Sequence, residues 1–383
     1  AAALSLSACG SQGMAGSDNM NMMGGMADMA TPPGVPQIKH VVLVVQENHT
    51  FDTYYGRYCS APAGSNPTCN DGPACCERAP DTEPSGASPM ALTDASNGSY
   101  DPDHTRACED AEMNGGKMDR YVKGAAGCSD PRNWAIATGN EVKPYHMWAS
   151  QYALADRYFQ SISGQSAAND MYFAVAHKVF ADNDEAPNAI GYGCWSAVWL
   201  GTSRKVVLYK DKKTIADLLI DAGLSFGVYA MGYDAVVNHP TLSPCPAKPS
   251  DCTSSAAVNY LPGACTYEPS DIPFEYYAQL TDNPKYMKDY AKFATDIAAG
   301  QLPSFSFLKA TSYKQEHPGF DTTISKGATF VGEVVNAVLS SPYKDDTLIL
   351  VTWDEGGGYF DHVPPPTNMG PADMEPYGTR VPL

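Results

Sequence analysis

The sequence predicts an α/β fold with a mainly parallel, doubly wound sheet and helices on both faces. Two apolar, β-branched runs, at about 39–45 and 347–353, lack polar alternation, as strands buried on both faces do. Strand patterns at 225–230 and 303–308 alternate with helical patterns, which is typical of parallel sheets joined by crossover helices.

The remaining elements have weaker signals. The first strand is followed by a loop-rich insertion at 57–112 that is dense in Pro, Gly, Ser and Cys, and a second irregular, Cys-containing insertion is expected at 236–272. Apolar spacing of the helical type predicts four helices, at 146–158, 171–177, 213–222 and 329–339.

The two ends of the chain have distinct patterns. Leu6-Ser7-Ala8-Cys9 has the form of a bacterial lipobox, so residues 1–9 are interpreted as the remnant of a lipoprotein signal ending in the lipidated Cys9. Residues 10–36 are rich in Met, Gly, Ser and Asn and are expected to form a disordered tether. The rest, 37–383, is expected to form one domain, and the apolar run that begins at 378 predicts truncation at the C-terminus. A lipid anchor would place the protein in a bacterial cell envelope.

The net charge of the chain excludes one class of partner, and its cysteine content indicates the cellular compartment. The net charge of −18 argues against a nucleic-acid partner, because binding to phosphate backbones needs a basic face. Without Cys9, an even number of cysteines remains, mostly in loops, which favours disulfides in an exported protein over the alternative of a zinc site. These residues are Cys59, Cys69, Cys75, Cys76, Cys108, Cys128, Cys194, Cys245, Cys252 and Cys265.

Acidic and amide side chains follow the two most apolar strands. Glu47 and Asn48 come directly after the first strand, and Asp354 and Glu355 come after the last. Ligands in such sheets bind outside the carboxyl ends of the strands, so these four side chains are expected at one rim. Oxygen ligands of this kind suit a hard or borderline divalent cation, although solvated loop carboxylates would give the same pattern.

Polar residues elsewhere could complete a catalytic site. Ser166 precedes a helical run, where free backbone N–H groups bind anions, and could attack phosphorus; a simple helix-capping serine is the alternative. His104 and His317 lie in polar loops and could donate a proton to a leaving group or contact a phosphate beside the metal. Asp361 and His362 are expected to support the site from behind the ligands.

These motifs together carry a resemblance to a known family. The segment Glu47-Asn48-His49-Thr50-Phe51-Asp52-Thr53-Tyr54-Tyr55-Gly56 resembles a signature of the bacterial phosphoesterase family, which contains phosphatidylcholine-preferring phospholipases C and acid phosphatases and is related to alkaline phosphatase. The similarity covers about 38 to the end and recurs at 114–119, 164–169, 317–319 and 353–366.

The resemblance implies an alkaline-phosphatase-like fold and a divalent metal ion held by Glu47, Asn48, Asp354 and Glu355. It also implies a hydroxyl nucleophile at Ser166, where many relatives carry Thr, and site histidines at His104 and His317. Lys117 and Asn169 lie in the matching segments and are expected to contact the substrate or the residues behind the ligands. One departure is that Ser270-Asp271-Ile272 stands where many relatives have histidine, which weakens the inference about phosphate binding.

The sequence therefore predicts a metal-dependent phosphoesterase that acts on a phosphate ester or a phospholipid through a serine nucleophile. The alternative is a surface lipoprotein that binds a phosphorylated ligand without catalysis, which the missing histidine and the acidic charge would favour. A complete set of candidate ligands and a candidate nucleophile favour the enzyme.

Overall fold

The computed structural model describes residues 37–68, 72–180, 209, 212–237, 250, 267, 269–281, 283–367 and 373–383. Its strands form two parallel sheets, one of five strands and one of two strands. In chain order the strands are β1 (His40–Gln46), β2 (Met90–Leu92), β3 (Ala135–Ala137), β4 (Phe226–Ala230), β5 (Met287–Asp289), β6 (Phe305–Lys309) and β7 (Thr347–Trp353). The large sheet has the order β5-β4-β6-β1-β7, and β2 pairs with β3. The parallel α/β architecture that the sequence predicts is therefore confirmed.

Ten α-helices connect these strands within the described residues. The first five are α1 (Phe51–Tyr55), α2 (Asp94–Ser99), α3 (Arg106–Met113), α4 (Lys143–Gln151) and α5 (Ser166–Asp170). The other five are α6 (Ile215–Asp221), α7 (Tyr233–Val237), α8 (Phe293–Ala298), α9 (Ser312–Gln315) and α10 (Ile324–Leu339).

Strand β1 shows why its sequence lacks polar alternation. Val42 and Val44 are fully buried in one core cluster with the apolar side of α10, whereas Leu43 and Val45 belong to a second cluster that includes α5. Successive strand residues point to opposite faces, so a strand covered on both sides must be apolar at every position. The central position of β1, between β6 and β7, follows from this pattern.

Three helix predictions were wrong at their boundaries. The helix expected at 146–158 is α4, which begins three residues earlier with Pro144 in its first turn and ends at Gln151, because Tyr152 is extended. The helix expected at 171–177 is displaced: α5 begins at Ser166, and only a 3₁₀ turn, Met171–Phe173, follows it. Helix α10 begins at Ile324 rather than at 329, because Thr323 caps its first turn.

The first insertion differs from a plain loop. The segment 57–112, expected to be loop-rich, also contains β2, α2 and α3. Two disulfides, Cys59–Cys76 and Cys108–Cys128, confirm the expected use of cysteine, and Cys75 forms no disulfide with another described residue.

Several predictions fall on residues that are not described. These are the lipobox and tether at 1–36, most of the insertion at 236–272, and the cysteines at 69, 194, 245, 252 and 265. Within the described part of the chain, no helix combines the length and the apolar composition that a membrane span requires.

Candidate active site

The four predicted oxygen ligands lie together at the carboxyl end of the sheet. Strands β1 and β7 are neighbours with Gln46 opposite Trp353, so the next residues of both strands meet at one rim. The Asn48 backbone N–H donates to Asp354 Oδ1 at 3.1 Å, and all four side chains are at least 97% buried. Asn48 has a left-handed φ of 60°, which turns the chain sharply and which asparagine tolerates.

The glycine run after Glu355 is required by this close packing. Gly357 has a φ of 64°, and a Cβ at this position would overlap the Asn48 carbonyl oxygen. Its backbone N–H donates to Glu355 Oε2 at 2.7 Å. The run therefore lets the β7 loop fold back against the β1 loop and fixes one carboxylate.

Ser166 brings a hydroxyl to the same point. As the first residue of α5, its Oγ lies 3.1 Å from Glu47 Oε2, 3.2 Å from Asn48 Oδ1 and 3.5 Å from Glu355 Oε1. Ser166 does not cap α5, because Gln165 occupies the N-cap position. The geometry thus joins the candidate nucleophile to three of the candidate ligands, and leaves its hydroxyl free of the alternative capping role.

His104 and His317 reach the rim from two different loops. Asn48 Nδ2 lies 3.4 Å from His104 Nε2 and 3.3 Å from His317 Nε2. Each Nδ1 lies within 2.8 Å of a backbone carbonyl oxygen, of Pro102 and Pro318 respectively. A carbonyl only accepts, so the ring hydrogen sits on Nδ1 and Nε2 is the nitrogen presented to the site.

Of the predicted supporting residues, Asn169 and Asp361 are buried and His362 is largely buried. Asn169 donates to Gly164 O at 2.8 Å and accepts from the Ile162 N–H at 3.1 Å, so it holds the turn before Ser166. Asp361 and His362 belong to a buried ion network with Asp52 and Arg380, in which Asp361 accepts from Arg380 Nε at 2.8 Å.

Lys117 does not join the cluster. It is exposed and lines a cavity of about 430 Å³ together with His362, and among the described residues no hydrogen bond or ion pair connects it to the four ligands. A direct role beside Ser166 therefore has no support from its position.

Sequence reasoning missed a buried lysine at the same rim. Lys309 ends β6, which is the other neighbour of β1, and its Nζ forms ion pairs with Glu47 and, at 3.4 Å, with Asp170. The signal was present, since a charged residue directly follows the predicted strand 303–308. It could not be interpreted without the strand order, because most lysines after strands are solvated.

The charges at the rim are strongly unbalanced. Burial, followed by repulsion from Glu47, raises the pKa of Asp354 to about 7. Burial, and to a smaller extent repulsion from the nearby Glu109 and Asp354, also raises the pKa of Glu355 far above its ordinary range. Burial alone would raise the pKa of Glu47 too, but the Lys309 ammonium together with His317 and the Ser166 hydroxyl lowers it overall. One ammonium does not neutralise this group of carboxylates.

The donor set fits a divalent cation. One Ser166 hydroxyl hydrogen cannot satisfy the three oxygens around it, and Asp354 Oδ2 is buried with no hydrogen-bond partner among the described residues. Four oxygen-bearing side chains of this kind are ligands for a hard or borderline cation. Glu47, Asn48, Asp354 and Glu355 are the residues that would hold it.

A parallel sheet with an acidic rim and a hydroxyl at a helix start is consistent with an alkaline-phosphatase-like α/β fold. The model of the Phosphoesterase family matches residues 38–383, and the chain belongs to that family.

The chain is also similar to curated relatives over most of its length, at about a quarter sequence identity. The chain is 24% identical to Phospholipase C B of Mycobacterium tuberculosis over 362 residues, which cover 88% of this chain and 62% of the relative. It is 26% identical to Phospholipase C A of the same organism over 360 residues, with 88% and 61% covered. It is 25% identical to Non-specific phospholipase C1 of Arabidopsis thaliana over 353 residues, with 87% and 55% covered. The chain thus spans between about half and two thirds of the length of these curated relatives.

Proposed function

We propose that the protein is a metal-dependent phosphoesterase that hydrolyses phosphate ester bonds with Ser166 as the nucleophile. The observation that carries the proposal is the convergence of Ser166 Oγ with oxygens of Glu47, Asn48 and Glu355 within 3.5 Å. Membership of the Phosphoesterase family supports the reaction class.

A divalent cation bound by the four ligands would supply positive charge for the phosphate oxygens and make the adjacent hydroxyl more acidic. The protein residues account for the remaining steps. Ser166 Oγ forms the new P–O bond, and its hydrogen has Glu47 Oε2 as an acceptor at 3.1 Å. The bond to the leaving alcohol breaks, the alcohol oxygen takes up a proton, and the phosphoryl group stays on Ser166. Water then hydrolyses this phosphoserine and frees Ser166, which releases phosphate from a monoester substrate or the headgroup phosphomonoester from a diester substrate.

The two histidines suit proton transfer to the leaving group. Both Nε2 atoms lie within 3.4 Å of Asn48 Nδ2, and His104 Nε2 lies 3.7 Å from Glu355 Oε1. A histidine protonated at Nε2 can donate to the leaving oxygen, while the backbone carbonyl at Nδ1 keeps the ring oriented. Asn48 links both rings to the nucleophile, because its Oδ1 faces Ser166.

We propose that the substrate is a phosphate ester, and that phospholipids are among the phosphate esters that the protein hydrolyses. The support is the set of relatives named phospholipase C, each at 24–26% identity. The alternative substrate is a phosphomonoester, which has no second ester group. Hydrolysis of p-nitrophenyl phosphate, a monoester, can therefore be compared with hydrolysis of p-nitrophenyl phosphorylcholine, a diester with a phospholipid headgroup.

The test compares both substrates with and without EDTA for the wild type, Ser166→Ala and the control Ser150→Ala, an exposed serine on α4. We expect Ser166→Ala to lose activity by about 10³-fold or more, as for other nucleophile deletions, while its metal content and melting temperature stay near those of the wild type. Ser150→Ala should match the wild type. A folded Ser166→Ala protein with normal turnover would refute the covalent mechanism, and a folded, metal-loaded wild type without activity would favour the ligand-binding lipoprotein.

We also propose that Cys9 carries a lipid anchor in a bacterial envelope. The support is the Leu6-Ser7-Ala8-Cys9 motif followed by a Met/Gly/Ser-rich stretch. Metabolic labelling with a fatty acid tests this directly, because Cys9→Ala should abolish the label.

A further inference from the structure

Helix α3 holds the turn that carries the nucleophile. The helix begins two residues after His104 and is tied to a second segment by the Cys108–Cys128 disulfide. Two consecutive acidic residues of α3, Glu109 and Asp110, reach the turn that precedes Ser166. Neither residue has a role in the chemistry described above.

Glu109 makes the closest of these contacts. Its Oε2 accepts from the Gly164 backbone N–H at 2.7 Å, and its carboxyl also accepts from Gln160 Nε2 at 3.1 Å. The side chain is 98% buried, so it cannot meet the substrate directly. Asp110 adds a second bond to the same turn, from Ser163 Oγ at 2.8 Å.

The same carboxyl is connected to the metal-ligand loop. Gln160, which donates to Glu109, accepts from the Gly356 N–H at 2.8 Å through its Oε1. Gly356 directly follows Glu355, whose carboxylate lies beside Glu109. Glu109 therefore stands between the nucleophile turn and the loop that bears one of the proposed metal ligands.

Helix α5 depends on outside support to fix Ser166. It has only five residues, and its N-cap Gln165 makes no side-chain capping bond. A helix this short is marginal by itself, so the position of its first residue follows from the turn before it. Glu109 and Asp110, together with Asn169 from within α5, supply the side-chain bonds that hold this turn.

We propose that Glu109 is a positioning residue for the phosphoesterase reaction, holding the Gly164 turn so that Ser166 Oγ faces the metal-binding rim. This inference rests on the proposed function. Displacing a nucleophile by about 1 Å can cost roughly 10²-fold in rate, and loss of a buried partner behind a metal site typically costs about 10- to 100-fold.

The test compares Glu109→Ala with Glu109→Gln and with a matched control, Glu112→Ala. Glu112 lies on the same helix and is fully buried, but the hydrogen bond that its side chain accepts among the described residues comes from Asn133 Nδ2, at 2.7 Å, and not from the nucleophile turn. At saturating metal, kcat of Glu109→Ala should fall about 10- to 100-fold with KM nearly unchanged. Glu109→Gln should recover most of this rate, because its amide oxygen can accept from Gly164. Glu112→Ala should lose stability but keep kcat within twofold.

A second measurement does not depend on activity. Hydrogen exchange at the Gly164 amide should accelerate about 10-fold or more in Glu109→Ala and stay near the wild-type rate in Glu112→Ala. Should Glu109→Ala fail to fold, Asp110→Ala tests the same turn, because Asp110 is exposed and its replacement leaves no buried cavity. For Asp110→Ala we expect a few-fold loss of kcat and faster hydrogen exchange in the 162–165 turn.

Unchanged exchange at Gly164, or equal kcat losses in Glu109→Ala and Glu112→Ala, would overturn the positioning role. A wild type inactive on both nitrophenyl substrates would instead refute the proposed function, and the exchange rates would still decide whether Glu109 holds the turn.

Discussion

Replacing Lys309 by methionine should destabilise the metal-free protein by several kcal/mol. The ammonium is completely buried, and so are the carboxylates of Glu47 and Asp170 that it contacts. Burial raises the pKa of Asp170, whereas the pKa of Glu47 is lowered overall, so Lys309 and Glu47 form the charged pair. A charge pair at about 4 Å is worth about 4 kcal/mol at an effective dielectric constant of about 20. Burial of the ammonium offsets part of this, and removing one partner of a buried pair costs about 3–5 kcal/mol.

Urea unfolding of the EDTA-treated protein measures this loss. The control is Lys288→Met, at the edge strand β5, where the lysine side chain is 23% exposed beside Asp296, so we expect a change of at most about 1 kcal/mol. Adding Glu47→Gln to Lys309→Met should recover part of the loss in the metal-free protein, because it removes the carboxylate that the ammonium had compensated. A Lys309→Met loss no larger than that of Lys288→Met would refute the reasoning that this ammonium neutralises the rim.

Two further predictions concern buried glutamates away from the ligands. Burial raises the pKa of Glu112 from 4.5 to about 9, so the stability that this group contributes is fully present below pH 4.5 and is lost as pH rises toward 9. In Glu112→Gln the unfolding free energy should therefore decline less steeply between pH 5 and 8, by about 1.4 kcal/mol per pH unit. An unaltered slope, measured by urea unfolding at several pH values, would contradict this. Gly327→Ala should cost about 1–3 kcal/mol, because the new Cβ would overlap the buried side chain of Glu316, which Tyr54 and Tyr145 hold by hydrogen bonds. Gly332→Ala, on the same helix but with no atom closer than 3.7 Å to the new Cβ, should instead stabilise by about 0.5–1 kcal/mol, and equal melting temperatures for the two variants would argue against a tight fit around Glu316.

The sheet was predictable from the sequence because burial on both faces has a local signature. Strands β1 and β7 are uninterrupted apolar runs, and the boundaries expected for them agree with the structure within one residue. Helix α5 was displaced by five residues because the apolar stretch at 171–177 is also compatible with the 3₁₀ turn that is present. Periodicity indicates that a segment is buried on one side but does not determine where its first turn begins.

The candidate site was predictable where chemistry follows directly on a strand. Glu47 and Asn48 follow β1 in sequence, and Asp354 and Glu355 follow β7, so the rule that ligands bind at carboxyl ends brought them together. Glu109 has no comparable signal, because it lies on a helix within a Cys-rich insertion and reaches the site only through the tertiary fold. Its contact with the Gly164 N–H depends on two segments 55 residues apart in sequence.

The rim breaks the ordinary rule that buried charges are paired. Among the described residues, five buried carboxyl groups share it with the Lys309 ammonium: those of Glu47, Glu109, Asp170, Asp354 and Glu355. Some of these groups therefore keep protons at neutral pH, as the pKa of about 7 for Asp354 and about 8 for Glu109 indicate. A bound cation would replace such protons, so metal binding should release protons and strengthen as pH rises. These crowded carboxyl groups thus destabilise the metal-free fold and would favour a metal-bound state, which is the reverse of what selection for stability alone would produce.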